Sequence, residues 1–164
     1  MFKRIENNID FAENEDKISN YWNDIDAFQK SLDIRKESKI FRFYDGPPFP
    51  TGSPHYGNLL AGVIKDIVPR YWTMRGYFVE RRFGWDVHGL PIEMEVQKEL
   101  GLEDPQDIDN YGIDKFNEAC RSQVQTNTEN WEKITRKIGR WVDFENDYKT
   151  MDVGFMESVW WVFK

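Results

Sequence analysis

The sequence has little of several features that define whole classes of protein. Its 164 residues include one cysteine, Cys120, which can form no internal disulfide and therefore indicates a reducing compartment. No apolar run approaches about 18 residues, and the N-terminal MFKRIENNIDF has no hydrophobic signal-peptide core. We therefore expect a cytoplasmic protein without membrane contact. No spacing of Cys and His is typical of a zinc site, so no metal site is expected in this segment.

An excess of positive charge is also missing. The formal net charge is −7, which argues against binding nucleic acid by bulk attraction, because phosphate neutralisation needs clustered Lys and Arg. Asp66 and Glu80 offset the basic residues of one region, so a solvated helix face is the default interpretation there. The five basic residues of that region are Lys65, Arg70, Arg75, Arg81 and Arg82.

Aromatic residues are abundant instead. They make up 16% of a chain that is 31% charged, which indicates a solid core beneath a strongly solvated surface. The length is that of one domain. Four of the seven tryptophans are interpreted as core or domain-packing residues rather than as a platform for stacked bases: Trp131, Trp141, Trp160 and Trp161.

Hydrophobic periodicity predicts an α/β fold. Apolar residues at helical spacing predict helices over 15–32, 59–74, 92–100 and 115–138, and a last apolar segment covers 155–163. Compact apolar runs predict buried strands over 40–44 and 77–83. The order strand, glycine-rich loop, helix, strand is typical of a right-handed parallel crossover.

The loop after the first strand, within FYDGPPFPTGSPHYGNLLAG, has two features that suggest a ligand site. The helix that follows directs free N–H groups and the positive end of its dipole at the space above the sheet, which favours phosphate. His55 and Asn58 could both reach such an anion, and Gly57 leaves room for it. Four prolines would hold carbonyl acceptors in a rigid frame that suits an ammonium group: Pro47, Pro48, Pro50 and Pro54.

A second segment, GWDVHGLPIE, follows the next strand and should lie at the same carboxyl edge of the sheet, where open α/β folds bind ligands. Asp86 could complement the ammonium group, and His88 should project to the same side.

The residues alone leave other roles open. The loop could be a plain connection, His55 a helix cap, Asp86 a buried acceptor and His88 structural. Cys120 has no neighbouring His in the sequence and is disfavoured as a nucleophile.

These residues also carry a resemblance. The pattern Pro48-x-x-x-Gly52-x-x-His55-x-Gly57-Asn58 resembles the HIGH signature of class I aminoacyl-tRNA synthetases. GWDVHGLPIE and KDIVPRYWTMRGY resemble the isoleucyl type in particular, and the strong match covers roughly 43–102. The resemblance implies an N-terminal helical segment, 1–38, and a Rossmann-like parallel sheet over 39–164 that is the first half of a catalytic domain, incomplete at its C-terminus.

The resemblance further implies adenylate chemistry. Isoleucine would be activated by ATP, which enters as its Mg²⁺ complex, and passed to tRNA(Ile) by a monomeric enzyme. It implies amino-acid binding by Gly46, Pro47, Asp86 and His88. It implies ATP binding by Pro48, Gly52, His55, Gly57 and Asn58, with His55 and Asn58 stabilising charge on the phosphates in the transition state.

Two departures from the family pattern matter. Asn58 stands where the signature commonly ends in His, so one donor that could be cationic is replaced by a neutral one. The second signature, a KMSKS-like loop, is not in these residues, so the chain alone is expected to be a poor ligase. The alternatives are a leucyl- or valyl-type ligase, another nucleotidyltransferase, and a non-catalytic nucleotide-binding module or split subunit.

Overall fold

The computed structural model describes residues 9–164, and the prediction about a signal peptide falls largely on residues 1–8, outside the described residues. Seven helices and two strands occupy the described part of the chain. The helices are α1 (Phe11–Asp24), α2 (Ala27–Asp33), α3 (Tyr56–Met74), α4 (Leu90–Leu100), α5 (Pro105–Tyr111), α6 (Ile113–Lys137) and α7 (Val153–Phe163). The strands are β1 (Arg82–Trp85) and β2 (Asp143–Lys149).

The strands form a parallel sheet. β1 pairs with β2 in the register Arg82 to Asp143 and Trp85 to Lys149. A single parallel bridge outside these strands joins Ile40 to Phe78, four residues before β1. Each pair is connected through helices, as parallel pairing requires, so the predicted α/β crossover arrangement is confirmed.

The core lies where β1 and β2 pack against α4 and α6. Ring pairs such as Phe83 with Phe144, 4.7 Å between centroids, fill the space at the sheet. The polar middle of α6 does not interrupt the helix, because Asn127 and Gln123 donate hydrogen bonds to the Glu95 carboxylate on α4. The buried apolar cluster consists of Phe83, Trp85, Val87, Ile92, Val96, Phe116, Val124, Trp131, Val142 and Phe144.

Three predicted elements need correction. The strand predicted over 77–83 forms only over Arg82–Trp85, with an isolated bridge at Phe78. The single helix over 15–32 is wrong: Asp26 adopts the left-handed conformation, φ 50°, and separates α1 from α2. Asp tolerates this conformation better than most residues, and the turn lets Phe28 pack 6.2 Å from Trp141. The buried strand over 40–44 is also wrong, since only Ile40 forms a bridge and it is 52% exposed. This segment lies at the sheet edge and has no strand on its outer side within the described residues.

Other helices agree closely with expectation, and two elements were missed. Pro91 opens α4, and α6 runs through nearly the whole predicted range. The structure adds α5 and β2. The sequence of β2, DFENDYK, is mostly charged and has no apolar run, so neither hydrophobic signal for a strand marks it.

The basic region is not a solvated helix face. Arg81 is 3% exposed and donates to the Thr73 hydroxyl at 2.7 Å. Burial, opposed in part by Asp66, lowers the pKa of Arg81 to about 10. The Arg70 guanidinium lies 4.1 Å from the centre of the Trp141 ring. The surface interpretation is therefore wrong for Arg70 and Arg81, because aromatic and polar side chains of other segments cover them.

The tryptophans divide into two groups. Trp131 is buried in the core as predicted, and Trp141 packs edge-on against Trp22 at 5.3 Å. Trp160 and Trp161 are 69% and 80% exposed on α7, so they are not core residues of the described structure. A role for them in packing between domains stays a prediction. No helix within residues 9–164 has both the length and the apolar character needed to cross a membrane.

Candidate active site

The start of α3 is closed by a reciprocal pair of side chains. His55 is the N-cap residue, and its Nδ1 accepts hydrogen bonds from the main-chain N–H groups of Gly57 at 3.1 Å and Asn58 at 3.4 Å. In return, Oδ1 of Asn58 accepts from the N–H of His55 at 3.0 Å. This capping box satisfies donors that helix starts otherwise leave open. The prediction of several free N–H groups above the sheet is therefore wrong for Gly57 and Asn58.

The same cap determines which side-chain donors remain. Because Nδ1 of His55 accepts, the proton of the neutral ring is on Nε2. Asn58 uses its oxygen, so its Nδ2 amide group remains. His55 is exposed and Asn58 half-buried at the helix end. The Nε2 group of His55, the Nδ2 group of Asn58 and the positive end of the α3 dipole thus lie together at the start of the helix, which is an arrangement suited to an anion.

Some carbonyl acceptors of the proline loop already have partners within the described residues. The Pro48 carbonyl accepts from the N–H of Asp86 at 2.9 Å, which joins the loop directly to the segment after β1. The Gly52 carbonyl accepts from Nε1 of Trp131 at 2.8 Å. No described residue donates to the carbonyl of Pro47. The Pro50 and Pro54 carbonyls likewise receive no hydrogen bond from the described residues, and of the three prolines Pro47 is next in the chain to Pro48, which bonds to the Asp86 segment.

An ion-pair triad holds the beginning of the loop. The Asp45 side chain is 8% exposed and pairs with Nζ of Lys65 at 2.6 Å and with the Arg140 guanidinium. Lys65 also donates to the Gly46 carbonyl at 3.2 Å. The triad connects the loop with α3 and with the segment between α6 and β2. It therefore fixes the backbone immediately before Pro47.

Asp86 and His88 share a partner after β2. Nδ1 of His88 lies 2.6 Å from Oγ1 of Thr150, and the Thr150 hydroxyl lies 3.3 Å from Oδ1 of Asp86. The His88 ring nitrogen and the Asp86 carboxylate are 3.9 Å apart. The two side chains thus project to the same side, as the sequence predicts. Both are partly exposed, with 60% of the His88 and 44% of the Asp86 side chain open.

A cavity of about 280 Å³ lies beneath the loop, between α3 and α6. Gly46, Pro47, Pro48 and Asn58 line it together with Trp131. His55, Asp86 and His88 lie outside its lining. The structure therefore gathers four of the predicted residues around one cavity and places the others beside it, connected through the bond between Pro48 and Asp86.

Comparison with known proteins now adds to this geometry. Residues 17–164 match the family model described as tRNA synthetases class I (I, L, M and V). The chain belongs to this family. Its parallel α/β arrangement is part of the Rossmann-like catalytic domain of class I synthetases.

Individual relatives also belong to this family of tRNA synthetases. The chain is similar to the isoleucine–tRNA ligase of Treponema denticola, with 54% identity over all 164 residues. It is 54% identical to the cytoplasmic isoleucine–tRNA ligase of Saccharomyces cerevisiae over 154 residues, which are 94% of this chain. It is 55% identical to the isoleucine–tRNA ligase of Chlamydia muridarum over 158 residues, which are 96% of this chain. It spans 15%, 14% and 15% of these relatives. The fold is also similar to the Agrobacterium radiobacter K84 agnB2 LeuRS, solved in a ternary complex with tRNA and LeuAMS, with a TM-score of 0.63. The sequence identity to that structure is 18%, and the superposition covers 91% of this chain and 16% of the LeuRS chain.

Sequence reasoning missed some site residues of this class I synthetase segment, and other residues argue against a cysteine nucleophile. Reasoning from the sequence did not find Asp45 and Arg140 as partners, nor Thr150. Knowing that β2 was a parallel strand would have placed Thr150 at the carboxyl edge. Burial, and then the charge of Glu93, raises the pKa of Cys120, which disfavours a thiolate nucleophile. Within residues 9–164 no three His, Cys, Asp or Glu side chains are grouped so as to hold a metal ion.

Proposed function

We propose that the chain forms the first half of the catalytic site of an isoleucine–tRNA ligase. The observation that carries this proposal is about 54% identity along essentially the whole chain to isoleucine–tRNA ligases from bacteria and yeast. In the reaction, the isoleucine carboxylate attacks the α-phosphorus of ATP, which enters as its Mg²⁺ complex, and pyrophosphate leaves. The acyl group then passes to a ribose hydroxyl of tRNA(Ile), and AMP leaves.

In this proposal the amino acid binds between the proline loop and the end of β1. The Pro47 carbonyl and the Asp86 carboxylate accept hydrogen bonds from the ammonium group, and Gly46 lines the pocket. Two observations support this placement: no described residue donates to the Pro47 carbonyl, and the bond from Asp86 N to Pro48 O holds the two segments together. His88 lies next to Asp86 on the same side and completes the amino-acid site.

ATP binds at the start of α3, along Pro48, Gly52 and Gly57. The Nε2 donor of His55 and the Nδ2 donor of Asn58 stabilise the negative charge that develops as pyrophosphate leaves. The capping box supports this role because it orients both side chains before any ligand binds. Gly57 serves the cap as well, since a Cβ atom there would lie 3.0 Å from the His55 ring. Asn58 can never be cationic, so the site should be less sensitive to pH than one that carries a second His there.

The remaining predictions follow from the same proposal. The segment 1–38, which is helical over Phe11–Asp24 and Ala27–Asp33, precedes the catalytic fold of 39–164, and the ligase acts as a cytoplasmic monomer with isoleucine, ATP and tRNA(Ile) as its partners. Contacts such as that of Trp22 with Trp141 hold the helical segment against the catalytic fold. The chain spans about 15% of its relatives, so by itself it should have weak activity or none.

The test is exchange of labelled pyrophosphate into ATP by the whole gene product that includes these residues. We expect isoleucine to stimulate exchange far more than leucine or valine, although a single methylene discriminates between isoleucine and valine by only about 1 to 3 kcal/mol, a limit for which the isoleucyl enzyme is itself the standard example. Stimulation by another amino acid alone would exclude the isoleucine assignment. ATP binding without stimulation by any amino acid would instead favour a non-catalytic nucleotide-binding module.

A further inference from the structure

A buried threonine hydroxyl contacts three consecutive residues at the edge of the candidate site. Thr150 follows β2 directly and is 6% exposed. Its Oγ1 accepts from the N–H of Val87 at 2.9 Å, and lies 2.6 Å from Nδ1 of His88 and 3.3 Å from Oδ1 of Asp86. The main chains are joined as well, because the N–H of Thr150 donates to the Trp85 carbonyl at 3.0 Å. The ends of β1 and β2 are thus bonded through both backbone and side chain.

The chemistry of these groups fixes the direction of the hydrogen bonds. A hydroxyl has one proton to donate and two lone pairs that accept. The N–H of Val87 uses one lone pair. An ionised Asp86 can only accept, so the hydroxyl proton points to its Oδ1, and the second lone pair accepts from Nδ1 of His88. This is the one arrangement in which all three contacts are hydrogen bonds, and it runs from His88 through Thr150 to Asp86.

The contact also decides which oxygen of Asp86 stays open. The main-chain N–H of Asp86 is hydrogen-bonded to the Pro48 carbonyl, so the orientation of the carboxylate depends on rotation of the Asp86 side chain. Among the described side chains, Thr150 is the one that hydrogen-bonds to the Asp86 carboxylate, and it does so at Oδ1. Oδ2 then remains for a ligand. Preorganisation of this kind strengthens binding because the carboxylate does not have to be ordered when the ligand arrives.

We infer that Thr150 is a positioning residue of the amino-acid site: its hydroxyl orients the Asp86 carboxylate toward the substrate ammonium group and couples it to His88. The inference rests on the proposed function for the identity of the ligand. It predicts an effect on amino-acid binding that ATP binding does not share, since the described contacts of the Thr150 side chain include none to the loop or to α3.

The test compares Thr150→Val, which removes the hydroxyl and keeps the shape, with Thr150→Ser, which keeps the hydroxyl. In pyrophosphate exchange by the whole gene product, Thr150→Val should raise KM for the amino acid about tenfold, the effect of one hydrogen bond to a charged group. KM for ATP should stay within about twofold of wild type. Thr150→Ser should restore most of the amino-acid affinity. The matched control is Thr128→Val, because Thr128 is equally buried, at 7%, and its hydroxyl bonds only to its own helix at Gln125.

A double variant separates positioning from a general structural effect. If Thr150 acts through Asp86, then Thr150→Val in an Asp86→Asn background should raise KM for the amino acid by no more than about twofold, since the two effects are not additive. Equal effects of the Val and Ser variants, a parallel rise in both KM values, or full additivity with Asp86→Asn would overturn the inference. Failure of the proposed function is a separate result, visible in the wild-type protein as exchange that no amino acid stimulates.

Discussion

At the scale of single residues, one side chain can have a structural and a chemical role together. His55 caps α3 through Nδ1 and offers Nε2 to a ligand. The two possibilities that the sequence leaves open for His55, helix cap and phosphate contact, are therefore compatible. Asp86 resembles His55 in this respect, because its main chain holds the proline loop while its carboxylate stays partly exposed.

This division of roles gives different kinetic effects for substitutions at the two positions. We expect Asp86→Asn to raise KM for the amino acid by about ten- to a hundredfold, because a charged hydrogen-bond partner is lost, and to leave KM for ATP nearly unchanged. His55→Ala should lower the rate of activation instead, and should also destabilise α3 by about 1 kcal/mol through loss of the cap. His55→Asn is the control, since Asn caps helices well but cannot place a donor where Nε2 lies. Equal damage to both substrates by both changes would contradict the assignment.

Because Asp45 holds the ion-pair triad before Pro47 together, the stability of the fold should depend strongly on its carboxylate. Asp45→Asn leaves Arg140, whose side chain is 7% exposed, without its counter-charge. Removing one partner of a buried pair costs about 3 kcal/mol. Glu13→Gln provides a surface comparison, because Glu13 and Lys17 are mostly exposed and such pairs contribute at most about 1 kcal/mol. Urea unfolding of both variants measures the difference, and similar losses in the two would rule out a special role for the triad.

At the scale of elements, β1 and β2 approach each other closely where Gly84 faces the Tyr148 ring. A Cβ atom on Gly84 would lie 2.1 Å from the Tyr148 ring, so the glycine is required by space. We expect Gly84→Ala to lower the free energy of unfolding by about 1 to 3 kcal/mol, because the ring must leave its position stacked on Phe155, 5.8 Å between centroids. Gly154→Ala is the matched control, since no atom lies within 4 Å of a Cβ there and alanine favours the helix. Equal stabilities of the two variants would show that Tyr148 moves freely.

How well the elements could be predicted depended on where their signals lie along the chain. The helices α4 and α6 carry local signals, an opening proline and a repeated apolar spacing, and both were found. β2 has no local signal, because parallel pairing with β1 is what stabilises its charged sequence. The turn at Asp26 likewise depends on packing of Phe28 against Trp141. Local periodicity cannot detect contacts of that kind.

The same distinction holds for the candidate site. The loop, His55, Asn58 and Asp86 are close together in the sequence and form a recognisable pattern. Arg140 and Thr150 meet that pattern only after α4, α5 and α6 have brought β2 back beside β1. Their roles follow from distances in the folded chain: Thr150 lies 64 positions from Asp86, and Arg140 lies 95 positions from Asp45.

At the scale of the whole molecule, two helices present wide apolar faces to solvent. On α7, Trp160, Trp161 and Phe163 are each more than two thirds exposed. On α3 the exposed apolar residues include Leu60, Val63, Ile64, Ile67, Tyr71 and Met74. Contiguous apolar surface of this kind is unusual for a soluble monomer and favours association. On α3 the same residues satisfy the helical periodicity that predicted this helix, so periodicity identified α3 correctly and gave no information on whether its face is covered.

The 164 residues on their own should therefore self-associate and bind a hydrophobic dye. Light scattering coupled to gel filtration should show species larger than 19.7 kDa, and the dye fluorescence should increase on addition of the chain. The paired substitution Trp160→Lys and Trp161→Lys removes two exposed indole rings of α7, and it should reduce both signals because a charged surface resists association. Phe11→Lys serves as the control, since Phe11 is 75% exposed but lies outside both faces. A monodisperse monomer without dye binding would mean that the two apolar faces become buried against the chain itself in solution.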